Sequence, residues 1–146
     1  MGAWCVTITA TPQPSLHMTR FFNADGNPYL SKLPAFKIPE SVLVVIHTAD
    51  LQVLLIERAD RAGFWQSVTG SNDFVDEPGQ AAAIREVAEE TGIVVGSQGV
   101  PHSHLQDLGM RNVYQIYPVW RHRYAPGVTY NTESLLVLQL PRFAQV

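Results

Sequence analysis

Arg85, Glu86, Glu89 and Glu90 carry the clearest chemistry in the chain. On a helical wheel at about 100° per residue, with Glu86 at zero, Glu90 falls near ~40° and Glu89 near ~300°. Ala81, Ile84, Val87 and Ala88 fall between roughly 100° and 220°, which predicts a carboxylate face opposite an apolar face that docks on a sheet. Carboxylates at i, i+3 and i+4 repel one another, and an i,i+4 contact from Arg85 to Glu89 offsets only part of this. A solvated acidic face is one reading. A platform for Mg²⁺ is the other, because that ion takes oxygen ligands and bridges one or two carboxylates to substrate phosphates.

The elements around this segment must position it. Asp76 or Glu77 is placed to cap the helix, Pro78 suits its first turn, and Gln80 to Glu90 are mostly strong helix formers. Gly92 supplies the stop. Upstream, Ser41-Val-Leu-Val-Val-Ile46 reads as a strand buried on both faces, and Val53 to Glu57 as its hairpin partner across a turn at 48–51. Phe64 to Thr69 is a short strand ending at Gly70. Downstream, Ile93 to Val95, Asn112 to Tyr117, Val119 to Tyr124 and Ser134 to Leu140 are strand candidates. Gly96 to His104 is loop-like, and Ala125 to Val128 is a turn. Many strands around one strong helix predict an α+β fold, a mixed sheet with helices packed on it. Residues 1 to 36, interrupted by Pro12, Pro14, Pro28 and Pro34, read as an irregular arm with at most a short strand at Val6 to Thr9.

Bulk properties narrow the classes. The 146 residues are about one domain, and 46% hydrophobic against 16% charged is enough for a core. A net charge of −3 without a basic stripe argues against nucleic acid as partner. The longest purely apolar run, Val42 to Ile46, is far short of the roughly 20 residues of a membrane span. One cysteine, Cys5, excludes an internal disulfide and fits a reducing, cytoplasmic setting.

Glu77, seven residues, then Arg85-Glu-Val-Ala-Glu-Glu-Thr-Gly-Ile93 resembles the Nudix box, of the form G-x5-E-x7-R-E-U-x-E-E-x-G-U with U aliphatic. Gly70 matches its first glycine, although six residues rather than five separate it from Glu77. Phe64-Trp-Gln-Ser-Val-Thr-Gly-Ser71, Arg121-His-Arg-Tyr-Ala-Pro-Gly-Val-Thr129 and Asn131-Thr-Glu-Ser134 are similar to the branch of that family that cleaves dihydroneopterin triphosphate. The resemblance spans about residues 37 to 141.

What the resemblance implies is a Nudix fold, a mixed sheet in an α/β/α sandwich. An irregular arm occupies residues 1–36 and the Nudix domain residues 37–146. The implied activity is Mg²⁺-dependent pyrophosphohydrolysis of a small-molecule triphosphate, with Mn²⁺ as a substitute, giving dihydroneopterin monophosphate and pyrophosphate. A broad nucleoside triphosphatase, or a low-activity binding domain, is the alternative. Glu86, Glu89 and Glu90 become metal ligands, with Glu86 or Glu90 as base, and Gly70, Glu77, Arg85 and Gly92 the motif. Arg85 is expected to orient the loop or the neighbouring carboxylates. Lys37, Arg58 and Thr69 become substrate contacts, as does the stretch Tyr114, Gln115, Ile116 and Tyr117. For Arg58, an ion pair with Asp60 or Glu57 competes with that role. Trp65 reads as packing and His122 as a surface histidine. Arg121 and Arg123 stay open between phosphate and acidic partners, and Glu133 is a candidate extra carboxylate near the metal. Neither nucleic acid nor a membrane is an expected partner; a homo-oligomer is compatible with the pattern. The family pattern continues past the last strand with one more metal-binding glutamate and a helix, and no residue up to Val146 matches that glutamate.

Overall fold

The computed structural model describes residues 36–141 in full, together with the backbone of residues 4–5, 21–22 and 28–29. Two-residue strands β1 (Trp4–Cys5), β2 (Phe21–Phe22) and β3 (Pro28–Tyr29) lie in the arm. The expected strand at Val6 to Thr9 falls outside the described residues. Then follow β4 (Glu40–Thr48), β5 (Leu54–Glu57), β6 (Trp65–Gln66), β7 (Val68–Ser71), α1 (Gly79–Thr91), β8 (Leu105–Gln115) and β9 (Tyr130–Leu140).

The central sheet has the order β7-β4-β9-β8. β4 runs antiparallel to β7 and parallel to β9, so the sheet is mixed. β5 does not form the expected hairpin with β4. A single bridge, His47 to Val53, follows the turn, and β5 then pairs antiparallel with β6 and parallel with β1 in a separate sheet. Leu51 takes a left-handed conformation (φ 62°), which turns the chain out of the β4 plane.

Val42, Val44 and Ile46 alternate along β4 and are fully buried against Ala82, Ala83 and Val87 of α1 and Leu136 and Leu138 of β9. Each such side chain contributes about 1.5–3 kcal/mol on burial. Leu43 and Val45 on the other face are only partly covered, so β4 is not buried equally on both faces. The helix approaches the sheet closely at its start, where a Cβ on Gly79 would sit 3.9 Å from Ser134 and 4.0 Å from Val42. Its N-cap residue is Pro78, without a side-chain cap; neither Asp76 nor Glu77 serves. Gly92 closes it in the left-handed region (φ 74°), donating to the Ala88 carbonyl.

Two other expected strands are absent. Ile93 to Val95 is irregular, and Pro118 to Arg123 forms a 3-10 turn, begun by a proline that cannot donate to a sheet. The one α-helix among the described residues covers one face of the sheet. A second helical layer is not among them. No described helix is long and apolar enough to cross a membrane.

Candidate active site

The buried arc of α1 differs from the apolar arc of the wheel. Ala82, Ala83, Val87 and Thr91 are buried, whereas Ala81 is exposed and Ile84 and Ala88 are half-buried. On the same wheel these buried residues span roughly 320° through zero to 140°, so Glu86 and Glu90 lie inside the buried arc. Glu89, outside it, has a side chain 61% exposed, against 12% for Glu86. The reason lies in the strand opposite. A Cβ on Gly70 would overlap the Glu86 carboxyl, so glycine gives Glu86 the space to lie on β7. One turn further on, Glu90 accepts a long hydrogen bond (3.4 Å) from the Thr69 amide.

Burial acts on both carboxylates. Desolvation pushes Glu90 up to about 7, helped by the Glu86 charge. Glu86 is also raised by burial, with Arg85 pulling the other way. Arg85 holds the assembly together. It donates to Glu86 (2.6 Å), to the Ser71 carbonyl (3.0 Å) and to Glu77 (3.2 Å), and faces Asp73 at 3.0 Å. Burial disfavours its charge, but the bonds to Glu77 and Glu86 outweigh that and raise it overall. Glu77, 8% exposed, also accepts from the Asp73 amide at 2.7 Å. The extra residue between Gly70 and Glu77 is absorbed in this loop, where Asp76 is left-handed (φ 63°), and the contact between Glu77 and Arg85 survives.

Cations face the carboxylates. Lys37 donates to Ser71 Oγ at 3.0 Å. Burial lowers its pKa first, then the Arg123 charge, while Glu86 raises it and Arg58 lowers it. Arg123 is thereby placed at the rim, beside Lys37, whose amide bonds its carbonyl at 2.8 Å. Arg121 instead donates to the Ile116 carbonyl at 3.1 Å. Arg58 reaches toward Glu90 electrostatically, but its fork is held by Asp60 through two 2.7 Å bonds. The Thr69 hydroxyl accepts from Gln66 at 3.3 Å.

The remaining expected contacts split up. Tyr114 and Gln115 end β8, Ile116 is buried, and Tyr117 is exposed with an edge-on contact to Trp120 at 5.5 Å. Trp65 pairs with Glu57 in the second sheet, and His122 Nδ1 lies 2.9 Å from the Val119 carbonyl. Glu133 lies on the sheet among Ser41 and Tyr114, and no carboxylate of α1 is among the groups acting on it. Two residues that sequence reasoning missed, Ser41 and Asn131, bond to each other there at 2.7 Å. Their signal was polar residues at i and i+2, Asn131 and Glu133, on the side of β9 that alternation turns away from Thr132 and Ser134.

Among the described residues no three His, Cys, Asp or Glu side chains converge on a metal-sized site. Of the three helix glutamates, Glu89 points outward, 3.8 Å from Arg85. Glu86 and Glu90, half-buried and mutually repelling, fit a hard divalent cation that keeps waters in its other positions. A separate cavity of about 310 Å³, bordered by Glu40, Glu77, Arg111 and Thr132, includes none of the three helix carboxylates.

The NUDIX domain profile matches residues 37–138. The chain is 45% identical over 112 residues to the dihydroneopterin triphosphate diphosphatase of Escherichia coli strain K12, covering 76% of this chain and 72% of that one. It is 35% identical over 108 residues to the protein of the same name from Haemophilus influenzae, covering 73% and 66%. The solved structure of the E. coli dihydroneopterin triphosphate pyrophosphohydrolase superposes with a TM-score of 0.65, over 76% of this chain and 74% of that one.

Proposed function

The chain belongs to the NUDIX domain family, and from that membership we propose that it hydrolyses dihydroneopterin triphosphate to dihydroneopterin monophosphate and pyrophosphate. The observation that carries this reading is the pairing of two half-buried carboxylates, Glu86 and Glu90, with a rim of Lys37, Arg58 and Arg123. Alternating charge of that kind suits a triphosphate chain and a counter-cation together. The 45% identity to an enzyme named for this substrate supports the head group.

In the proposed mechanism Glu86 and Glu90 hold a divalent cation, Mg²⁺ with Mn²⁺ as a substitute, and Glu89 adds charge from outside. When bound, that cation neutralises phosphate oxygens and makes water more acidic. Lys37 and Arg123 orient the phosphates, and Arg58 joins once its fork leaves Asp60. The water oxygen bonds to phosphorus, the bridging P–O bond breaks, pyrophosphate departs, and a carboxylate of the pair takes the water's proton. Without the cation, burial and then the Glu86 charge hold Glu90 up to about 7, so cation binding and proton release are linked at this carboxylate. A cytoplasmic setting belongs to the same reading, supported by the single cysteine.

Pure protein with Mg²⁺ and dihydroneopterin triphosphate should release pyrophosphate. No release above a Glu86→Gln control would refute the proposal. Comparable kcat/KM across ordinary nucleoside triphosphates would point instead to a broad triphosphatase.

A further inference from the structure

The face of the central sheet away from α1 carries a polar cluster where the start of β4, the start of β9 and the end of β8 meet. Ser41 of β4 and Glu133 of β9 are register partners, as are Asn131 of β9 and Tyr114 of β8. Asn131 is 2% exposed, and Ser41 and Glu133 are each 8% exposed. Tyr114, 38% exposed, is the member that meets solvent.

The hydrogen bonds in this cluster run in one direction. The Asn131 amide nitrogen donates to Ser41 Oγ at 2.7 Å and to the Tyr114 hydroxyl at 3.1 Å. Burial raises the Glu133 carboxyl, and hydrogen bonding from Ser41 and Tyr114 opposes it. The two amide hydrogens of Asn131 are used. What is left over is acceptor capacity: Asn131 Oδ1 is buried without a partner, and a carboxylate has room for more than two donors. A buried acceptor without a donor costs about 1–3 kcal/mol, so its persistence asks for a reason.

The cluster also adjoins the triphosphate rim. Ser41 is the register partner of Ser71, and Ser71 holds Lys37 at 3.0 Å. From β7 to β8 is three strand spacings, about 14 Å, which is the scale of a phosphate chain followed by a bicyclic ring.

We infer that Ser41, Tyr114, Asn131 and Glu133 form the recognition site for the substrate's head group, a flat heterocycle presenting an amino group beside a ring N–H. Such an edge, shared by pterins and guanine, supplies two parallel donors. One meets Glu133 and the other Asn131 Oδ1. Adenine and cytosine do not present that pair, so the cluster selects by hydrogen-bond pattern. Glu133, raised by burial, gains the donor that its desolvation lacks. This inference rests on the proposed hydrolase reading for the phosphate end but makes its own demand on the sheet.

The test uses neopterin, which has the ring and no phosphate, titrated into the metal-free full chain by fluorescence quenching or calorimetry. Wild type should bind, Glu133→Gln should bind about tenfold or more weakly, and Glu90→Gln should bind as wild type does. In turnover, Glu133→Gln should raise KM for dihydroneopterin triphosphate while leaving kcat within about threefold, and should narrow its preference over ATP. Ser41→Ala, which keeps the carboxylate and removes one hydroxyl, serves if Glu133→Gln unfolds, and should weaken neopterin in the same direction. Equal neopterin affinity in wild type and both variants, or equal loss in Glu90→Gln, overturns the inference. A wild type that releases no pyrophosphate yet binds neopterin through Glu133 would sink the hydrolase reading and leave this one standing.

Discussion

The Glu86 carboxyl occupies the space that a side chain on Gly70 would fill. Two segments sixteen positions apart are thus interlocked: β7 supplies the vacancy and α1 the acid. Gly70→Ala should push the Glu86 carboxyl off β7. A misplacement of about 1 Å is enough to lose about 100-fold in turnover. Overpacking should also destabilise the fold by about 1–3 kcal/mol. Steady-state rates and thermal melts of Gly70→Ala check both, and a rate within tenfold of wild type would show that Glu86 need not lie there.

Glu90 predicts a pH dependence with a definite sign. Its carboxyl is raised from 4.5 to about 7 in the folded, metal-free chain. The folded state therefore holds its proton where the unfolded chain has lost it. Stability conferred by that proton is present below about 4.5 and is lost as pH rises toward 7. Glu86, also raised by burial, acts in the same direction. Divalent metal competes with the same proton, so its affinity should climb between pH 5 and pH 8. Melting temperatures without metal should fall across this window, and Mg²⁺ titrations should tighten. Glu90→Gln should flatten both.

Much of this was legible in the residues. Alternation of Val42, Val44 and Ile46 marks β4, and the spacing of Glu77, Arg85, Glu86 and Glu90 marks the loop and helix. The wheel misplaced the buried face because Ala81, Ile84 and Ala88 are apolar yet not fully buried, while the space for Glu86 comes from a glycine in another element. A one-dimensional period cannot register that vacancy. The hairpin expected for β5 failed because a competing local pairing won: β5 turns back onto β6 through Ile56–Gln66 and Glu57–Trp65, and takes β1 from far along the chain as its other neighbour. Val119 to Tyr124 has strand-like residues, but Pro118 favours the turn that brings Arg123 to Lys37.

Arg85 should be the least replaceable of the motif residues. It neutralises Glu77, whose side chain is 5% exposed, and binds the Ser71 carbonyl as well as Glu86. Arg85→Ala leaves a buried carboxylate without its cation, a loss of about 3–5 kcal/mol. Arg85→Lys should recover little, since one ammonium cannot reproduce the planar fork. Chemical denaturation of the two variants checks this. A lysine variant as stable as wild type would mean that charge alone suffices.

The Arg58–Asp60 pair sets up the last prediction. Both fork nitrogens of Arg58 are held by Asp60 at 2.7 Å, and that bond is the main reason Arg58 is raised. The same guanidinium lies within electrostatic reach of Glu90 and Lys37, so it sits beside the proposed phosphate path while engaged elsewhere. A triphosphate must outcompete Asp60 to recruit it. Asp60 is well exposed, and exposed ion pairs are weak, so the competition is winnable. Asp60→Asn should free the fork and lower KM for the triphosphate by about two- to fivefold, with kcat little changed. Arg58→Ala should raise KM, and in that background Asp60→Asn should have no further effect. Additive effects of the two substitutions would show that Asp60 does not act through Arg58.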